Sequence, residues 1–302
     1  MNLRKNLVGL SILSTFLLFS NCKKENGPVE PQVNHKPTID RIVASPEEPF
    51  INQVVNLECI ASDEDDDVLS YDWRSDGGYF NSVDERRVVW NSPDQVREYH
   101  ITVKADDGKE DGSTSKTKSL NVVSRFDTLY TVEDVFVYEK EPDKNYQNEL
   151  GEYLFLIDGD YGRSTVLLKF ESPKKDIISA KIRLTLRPAE DNQYELGESN
   201  TNIYKIETPW TQNTVTYNNG PTYGLTPLKR FIVPSFSLTS SITFYIENMK
   251  DIINSLKNNP LQDYGLALLP IVLDTYKSFY SKEGAQEYGN MNLAPALIIE
   301  YE

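Results

Sequence analysis

Histidine and cysteine are nearly absent from this sequence of 302 residues, which contains only His35, His100, Cys22 and Cys59. Two histidines leave little material for histidine-based catalysis or for a histidine-rich metal site. Two cysteines exclude the disulfide framework that holds many small secreted domains together. The chain is 39% hydrophobic, and at roughly 100–200 residues per domain its length suggests two domains that each bury a core.

Basic residues are also fewer than acidic residues. Lys and Arg total 31 against 46 Asp and Glu, a net charge of −15, and such a chain repels phosphate backbones. We therefore expect no nucleic-acid partner. The motifs Gly-x-Ser-x-Gly and His-Glu-x-x-His are missing from the sequence, so we predict a protein that is not an enzyme. Hydrolase or lyase activity stays open as a weaker alternative, because the separation of paired carboxylates is spatial.

One long apolar run lies near the N terminus, at residues 7–20. It is shorter than the ~20 residues of a membrane-spanning helix. Basic residues precede the run and small or polar residues end it, which is typical of a secretory signal peptide. We predict that this signal peptide covers residues 1–21.

The residues around Cys22 resemble a bacterial lipobox, with Asn21 in place of the usual Gly or Ala. The resemblance implies that Cys22 is lipidated and that the protein is anchored in the outer membrane, at the cell surface. An ordinary secreted protein with an incidental cysteine is the alternative. Residues 22–37 combine prolines with polar residues and show no hydrophobic periodicity, which predicts a lipid-anchored, semi-extended linker.

Short apolar runs alternate with turn residues from residue 38 to 123, at roughly ten-residue spacing. This pattern is typical of a small antiparallel sandwich. The stretches 61–73 and 99–108 resemble Ig-like modules of the PKD kind, and the resemblance implies an Ig-like domain. We expect Trp73 to fill the core between its sheets.

Five adjacent acidic residues occupy positions 63–67 in this domain. Adjacent carboxylates repel one another, and a bound Ca²⁺ would relieve the repulsion. A solvated loop is the alternative, since the spacing is not that of an EF-hand. The predicted calcium ligands are Asp63, Asp65, Asp67, Asp106 and Asp107.

Residues 124–302 contain about nine further strand-like runs and one clear helix, at 247–258, which ends before Pro260. This content suggests a jelly-roll β-sandwich with one short helix, so the whole chain is predicted to be all-β. The segment resembles the DNRLRE domain, which is also classed as a carbohydrate-binding module of polysaccharide-degrading systems. The phrases that carry the resemblance lie at residues 162–184, 208–221, 263–268 and 279–301.

Basic residues fall on one face of two predicted strands in this segment. Arg163 and Lys169 share a face of the first strand, and Lys181, Arg183 and Arg187 share a face of the second. If the two strands pair, these residues form a cationic stripe that would suit the carboxylates of uronate sugars. The alternative is that the basic residues protect sheet edges or pair with acidic side chains.

Tyrosine is abundant, with 18 residues, and its rings can pack on the C–H faces of sugars. Tyr204 and Tyr245 are predicted sugar contacts, whereas Trp210 is predicted to form a structural corner. The family resemblance implies polysaccharide binding, for some members anionic polysaccharides such as alginate. We hypothesise a cell-surface lipoprotein that binds an anionic polysaccharide. The alternative is a structural or adhesive surface protein that binds another protein, such as a surface enzyme.

Overall fold

The structure is a computed structural model, and it describes residues 33–147, 151–160, 162–188, 197–235, 237, 239–271 and 275–302. The predicted signal peptide, the lipidation at Cys22 and most of the predicted linker lie outside these residues. Among the helices in the described ranges, none combines the length and apolar character that a membrane crossing requires.

Seven antiparallel strands form a first sandwich of two sheets. The strands are β1 (Thr38–Ser45), β2 (Val54–Ser62), β3 (Ser70–Ser75), β4 (Tyr79–Phe80), β5 (Arg87–Asn91), β6 (Arg97–Asp106) and β7 (Ser113–Val122). One sheet has the order β1-β2-β5-β4 and the other has the order β3-β6-β7. Every pairing within these sheets is antiparallel.

Alternation of apolar residues along β2 and β6 builds the core of this sandwich, since every second side chain points between the sheets. Trp73 is buried in that core together with Trp90, as expected. The Trp73 indole nitrogen donates to the Glu85 carbonyl at 2.8 Å, which satisfies the ring's polar group. Cys59 is fully buried among the same residues.

Ten strands and two short α-helices form the second sandwich within the described residues. The strands are β8 (Phe126–Tyr138), β9 (Tyr153–Asp158), β10 (Ser164–Phe170), β11 (Ile177–Leu186), β12 (Ser199–Lys205), β13 (Lys229–Val233), β14 (Ile242–Ile246), β15 (Leu266–Pro270), β16 (Thr275–Tyr280) and β17 (Ala296–Tyr301). The helices are α1 (Lys250–Lys257) and α2 (Lys282–Glu287). The chain is therefore nearly all β, as the sequence predicts.

The long strand β8 joins two sheets. Its first half pairs with β17, which leads to β11, β14, β16 and β9, and we name these strands the front sheet. Its second half pairs with β10, which leads to β15, β12 and β13, and we name these the back sheet. The main hydrophobic core lies between the two sheets.

The helix predicted at 247–258 begins later in the structure, at Lys250. Ile246 ends β14, and Asn248 adopts a positive φ of 57° that separates the strand from α1. The second helix, α2, was not predicted from the sequence. It is short, and the Ser281 side chain caps it by accepting a hydrogen bond from the Gly284 amide.

Candidate functional site

The predicted cationic stripe does not form, because β10 and β11 are not neighbours. Strands β8 and β17 lie between them, so that β10 belongs to the back sheet and β11 to the front sheet. The physical reason is topological: the chain crosses from β9 in the front sheet to β10 in the back sheet and returns to the front sheet at β11. Arg163 and Lys169 are thereby separated from Lys181, Arg183 and Arg187.

On the back sheet, the two predicted basic residues are neutralised by acidic neighbours. Arg163 lies 3.3 Å from Asp158, and Lys169 lies 3.3 Å from Glu133. The outer face of this sheet is also covered, since Leu167 is fully buried. On this face, the charges of Arg163 and Lys169 are therefore offset by carboxylates of the chain itself.

The cover on the back sheet contains Trp210, whose indole nitrogen donates to the Tyr264 carbonyl at 2.7 Å. Trp210 is buried with the back-face residues, as expected of a structural corner. Tyr204 packs against the same cluster, with its ring centroid 6.1 Å from that of Tyr223. The structure thus places Tyr204 on the opposite sheet from Tyr245.

The front sheet brings two of the predicted residues together. Strand β11 pairs with β14 so that Arg183 lies opposite Tyr245, and Lys181 lies two residues earlier on the same face. The Lys181 ammonium lies 4.3 Å from the centroid of the Tyr245 ring, and 45% of Tyr245 is exposed to solvent. A cation held beside an exposed ring offers both a charge and an apolar surface to a ligand.

A groove of about 480 Å³ opens beside this pair on the front sheet. Its apolar wall includes Phe126 and Ile178, which are 59% and 37% exposed. The groove size falls in the range of small-molecule sites, roughly 300–1,000 Å³. Its remaining lining residues are Ser179, Ala180, Lys181, Glu247, Asn248, Lys250, Asp251, Ile298 and Ile299.

Charges of both signs line this groove. Glu247 lies 3.7 Å from Lys181 and offsets its charge. Lys250, at the start of α1, forms no ion pair with any residue in the described part of the chain. The groove therefore offers one lysine that is paired and one that is available to an anionic group of a ligand.

Arg183 is buried beneath the front face, and this corrects its prediction as a ligand contact. Only 7% of the residue is exposed. Its guanidinium donates to the carbonyls of Met291 and Ala294, at 3.1 and 3.4 Å, and lies 5.7 Å from the centroid of the Tyr130 ring. Arg183 thus holds the turn at 291–294 against the sheet.

Arg187 lies at the other end of β11, beyond its last residue. Its guanidinium stacks on the Tyr153 ring, 3.5 Å from the centroid, and its backbone amide donates to Ser278. The structure does not bring Arg187 into the groove that contains Lys181.

The acidic loop of the first sandwich brings three of the five predicted calcium ligands together. One carboxylate oxygen each from Asp63, Asp65 and Asp67 lie within 4.8 Å of one another. Hydrogen bonds from the amide and then the ring of His35 lower the pKa of Asp65. Three carboxylates at this spacing could hold Ca²⁺, and a calcium site here stays a prediction.

The other two predicted ligands, Asp106 and Asp107, lie outside this group. Asp106 accepts from the Lys104 ammonium at 2.7 Å, and Asp107 accepts from the Asn34 side chain at 2.9 Å. The structure therefore groups three of the five predicted ligands, and the carboxylates of Asp106 and Asp107 accept from donors of the chain itself.

Sequence reasoning missed Phe126, Glu247 and Lys250 as groove residues. Phe126 reaches the groove because β8 pairs with β17, and β17 pairs with β11, a set of neighbours that no local pattern reveals. Glu247 and Lys250 were assigned to one continuous helix. The sequence signal for a break before the helix is Asn248, which lies between them, since Asn tolerates positive φ better than most residues. In the structure Asn248 has a positive φ.

A comparison with solved structures finds two weak similarities. One is a carbohydrate-binding module from the β-sandwich superfamily, described for its promiscuous specificity, with 11% identity, a TM-score of 0.29, and coverage of 89% of this chain and 98% of that one. The other is SGBP-B of the Bacteroides ovatus mixed-linkage glucan utilization locus, in complex with a mixed-linkage heptasaccharide. It shows 9% identity, a TM-score of 0.24, and coverage of 84% of this chain and 49% of that one.

Comparison with curated proteins finds no match. The sequence model of carbohydrate-binding module family 96, in contrast, matches residues 125–292. That range is more than half of the chain and covers the second sandwich from the start of β8 to the turn that Arg183 holds. The chain belongs to carbohydrate-binding module family 96.

Proposed function

We propose that the groove on the front sheet binds an anionic polysaccharide. Membership of a carbohydrate-binding family assigns the class of ligand, and the groove lies within the sandwich that the family covers. The observation that carries the proposal is the juxtaposition of the exposed Tyr245 ring with Lys181, beside an open groove that also contains Lys250.

Tyr245 beside the groove and several residues that line it have roles in this proposal. The Tyr245 ring and the exposed Phe126 side chain supply apolar surface on which the C–H face of a sugar can pack. Lys250 supplies an ammonium group for a sugar carboxylate, and ligand binding can draw Lys181 away from Glu247. Glu247 and Asp251 offer oxygens that accept hydrogen bonds from sugar hydroxyls.

The test is affinity electrophoresis of the full chain in gels that contain alginate, pectin or a neutral glucan. We expect alginate or pectin to retard the wild-type protein, and we expect Tyr245→Ala and Lys250→Ala each to weaken retardation about tenfold, which corresponds to ~1.4 kcal/mol. Tyr79→Ala is the control, because Tyr79 is also an exposed tyrosine, at 68% against 45% for Tyr245, but lies in the first sandwich.

Three outcomes would contradict all or part of the proposal. Retardation that Tyr245→Ala and Lys250→Ala leave unchanged would place the site elsewhere on the molecule. Absence of retardation by every polysaccharide would favour the alternative, a surface that binds another protein. Retardation by neutral glucans alone would remove the anionic specificity and leave the groove as the site.

We further propose that this binding surface is presented at the cell surface by a lipidated Cys22, with the Ig-like first sandwich as a spacer. The lipobox resemblance and the apolar run before Cys22 support this arrangement. We expect Cys22→Ser to move the protein from the membrane fraction to the soluble fraction, with Cys59→Ser as the control. Membrane association that survives Cys22→Ser would contradict the anchor.

A further inference from the structure

A second groove lies at the junction of the two sandwiches, and we name it the junction groove. Its volume is about 370 Å³, and its walls come from both sandwiches: Glu48 from the first, and Asp127, Lys174 and Tyr301 from the second. Phe126 lines both the junction groove and the groove on the front sheet. The two grooves therefore adjoin at the exposed Phe126 ring, and a ligand in one of them can continue past this ring into the other.

The strand pairing gives the order of the two grooves along the molecule. Lys181, in the groove on the front sheet, lies four residues after Ile177 on β11, and Ile177 pairs with Tyr301 in the junction groove. Four residues of extended strand span ~13 Å, and Lys174 lies on the chain before Ile177. The combined surface is therefore longer than a single sugar ring.

Each of the two grooves contains one lysine that is paired and one that is not. In the junction groove the Lys175 ammonium lies 2.7 Å from the Glu48 carboxylate. Lys174 is exposed and makes no ion pair within the ranges that the structure describes. It corresponds in this respect to Lys250 in the groove on the front sheet. Two available ammonium groups, one in each groove, match the repeated carboxylates of an anionic polysaccharide.

The acidic side chains of the junction groove are held by donors of the chain itself. Asp127 accepts from the Tyr301 hydroxyl at 3.2 Å and from the Thr128 amide at 2.8 Å. Glu48 is paired with Lys175. These contacts offset part of the negative charge of the two carboxylates, which would otherwise repel the carboxylate of a sugar.

The loop that carries Lys174 is fixed to the rest of the second sandwich. The Lys174 amide donates to the hydroxyl of the buried Tyr301. The Lys257 ammonium, at the end of α1, donates to the Lys175 carbonyl at 2.8 Å and to the Asp176 carboxylate at 2.7 Å. A ligand that binds here therefore does not have to order the backbone, which is a cost that weakens binding to flexible loops.

The wall from the first sandwich is also held in place. The Val123 amide donates to the Pro49 carbonyl at 2.9 Å, and the Ile51 amide donates to the Val123 carbonyl at 3.0 Å. The Phe50 ring between them is buried in the core of the second sandwich. Glu48, which precedes this segment, therefore keeps its position beside the loop that carries Lys174.

We propose that the ligand of the groove on the front sheet is a long stretch of an anionic polysaccharide, which crosses the Phe126 ring and continues into the junction groove. This inference rests on the proposed function and extends its site to the first sandwich. Lys250 binds one sugar carboxylate, Phe126 packs against the C–H face of a sugar, and Lys174 binds a carboxylate further along the chain. Short oligomers fill only the groove on the front sheet, so binding strengthens with chain length.

The test is calorimetric titration of the full chain with a trisaccharide and an octasaccharide of alginate, and with the matching oligomers of polygalacturonate. We expect the octasaccharide to bind about tenfold more tightly than the trisaccharide. Lys174→Ala should weaken octasaccharide binding about fivefold and leave trisaccharide binding unchanged. The variant should fold, because it keeps the backbone amide that donates to Tyr301. Lys140→Ala is the matched control, since Lys140 is also exposed but follows the far end of β8, the strand that begins at Phe126.

The results separate this inference from the proposed function. Equal affinities for the two oligomers, or a Lys174→Ala variant that binds the octasaccharide as tightly as Lys140→Ala does, would overturn the inference alone if Lys250→Ala still weakens the binding of both oligomers. If Tyr245→Ala and Lys250→Ala leave the binding of both oligomers unchanged, the proposed function fails and the inference fails with it.

Hydrogen exchange provides a second measurement on the wild-type protein. We expect the octasaccharide to slow exchange of the backbone amides at residues 123–127, which line the junction groove, and the trisaccharide to slow it less. Equal exchange of this segment with the two oligomers would also overturn the inference.

Discussion

Lys181 and Arg183 show at the scale of single residues how burial decides the role of a basic side chain. The two residues lie on one face of β11, and the sequence alone does not distinguish them. The turn at 291–294 covers Arg183, whose guanidinium satisfies its carbonyls. Lys181 remains in the open groove beside Tyr245. Arg183 therefore supports the fold of this face, whereas Lys181, paired with Glu247, lines the groove.

Asp76 provides a prediction at the same scale. Hydrogen bonds from the His100 amide at 2.9 Å, the His100 ring and Arg97 lower its pKa to about 2. Because the pKa is lower in the folded state, the ionised carboxylate stabilises the fold at pH values above 3.8, its pKa in the unfolded chain. This contribution is lost as the pH falls towards 2. Asp76→Asn should thus lower the Tm at pH 7, by an amount that shrinks on acidification.

The measurement is thermal unfolding of the wild-type protein and of Asp76→Asn between pH 7 and pH 2. Because the group is exposed and screened by solvent, we expect a loss of no more than ~1 kcal/mol at neutral pH. A Tm difference that stays constant over the whole pH range would show that the carboxylate charge is not the cause.

At the scale of elements, Gly265 controls how β15 approaches β10. It has a φ of +98°, and a Cβ at this position would overlap the Leu168 carbonyl oxygen. Strand β15 pairs with β10 directly after this residue, through Leu266 and Leu168. A side chain here would push the two central strands of the back sheet apart.

We expect Gly265→Ala to destabilise the protein by ~1 kcal/mol or more, since both the backbone conformation and the close approach disfavour a Cβ. Gly108→Ala is the matched control. Gly108 also has a positive φ, of 77°, but a Cβ there would meet no atom within 4 Å. Urea unfolding of both variants measures the difference, and equal losses would show that only backbone strain matters.

At the scale of the whole molecule, Phe50 joins the two sandwiches. It precedes β2 in the first sandwich, yet its buried ring belongs to the core cluster of the second. The Lys175 ammonium lies 5.0 Å from its ring centroid and 2.7 Å from Glu48. The Val123 amide donates to the Pro49 carbonyl at 2.9 Å. These contacts hold the first sandwich against the second.

Phe50→Ala should therefore destabilise the second sandwich, although the substitution lies in the first. Truncation of a buried Phe costs about 3–5 kcal/mol, and we expect a loss near the lower end because the site is at the margin of the core. Differential scanning calorimetry should show a lower transition for the second sandwich. Phe126→Ala, at an exposed ring, is the control and should leave stability nearly unchanged.

The sequence by itself determined the fold class and much of the secondary structure. Period-two alternation is a local property, so β2, β6 and the burial of Trp73 could be read directly. It did not reveal β13, a short strand between Pro227 and Pro234, or the six-residue helix α2. Both elements are too short for a periodic pattern, and packing against the sandwich decides their conformation.

Only the tertiary structure decided which side chains share a face. Lys169, Lys181 and Arg183 lie within the strands that the sequence predicts, whereas Arg163 and Arg187 lie just outside β10 and β11. The pairing of those strands depends on the order in which the chain crosses between sheets. That order is set by long-range contacts, which alternation within one strand does not encode. The same contacts bring Phe126 and Lys181 into one groove.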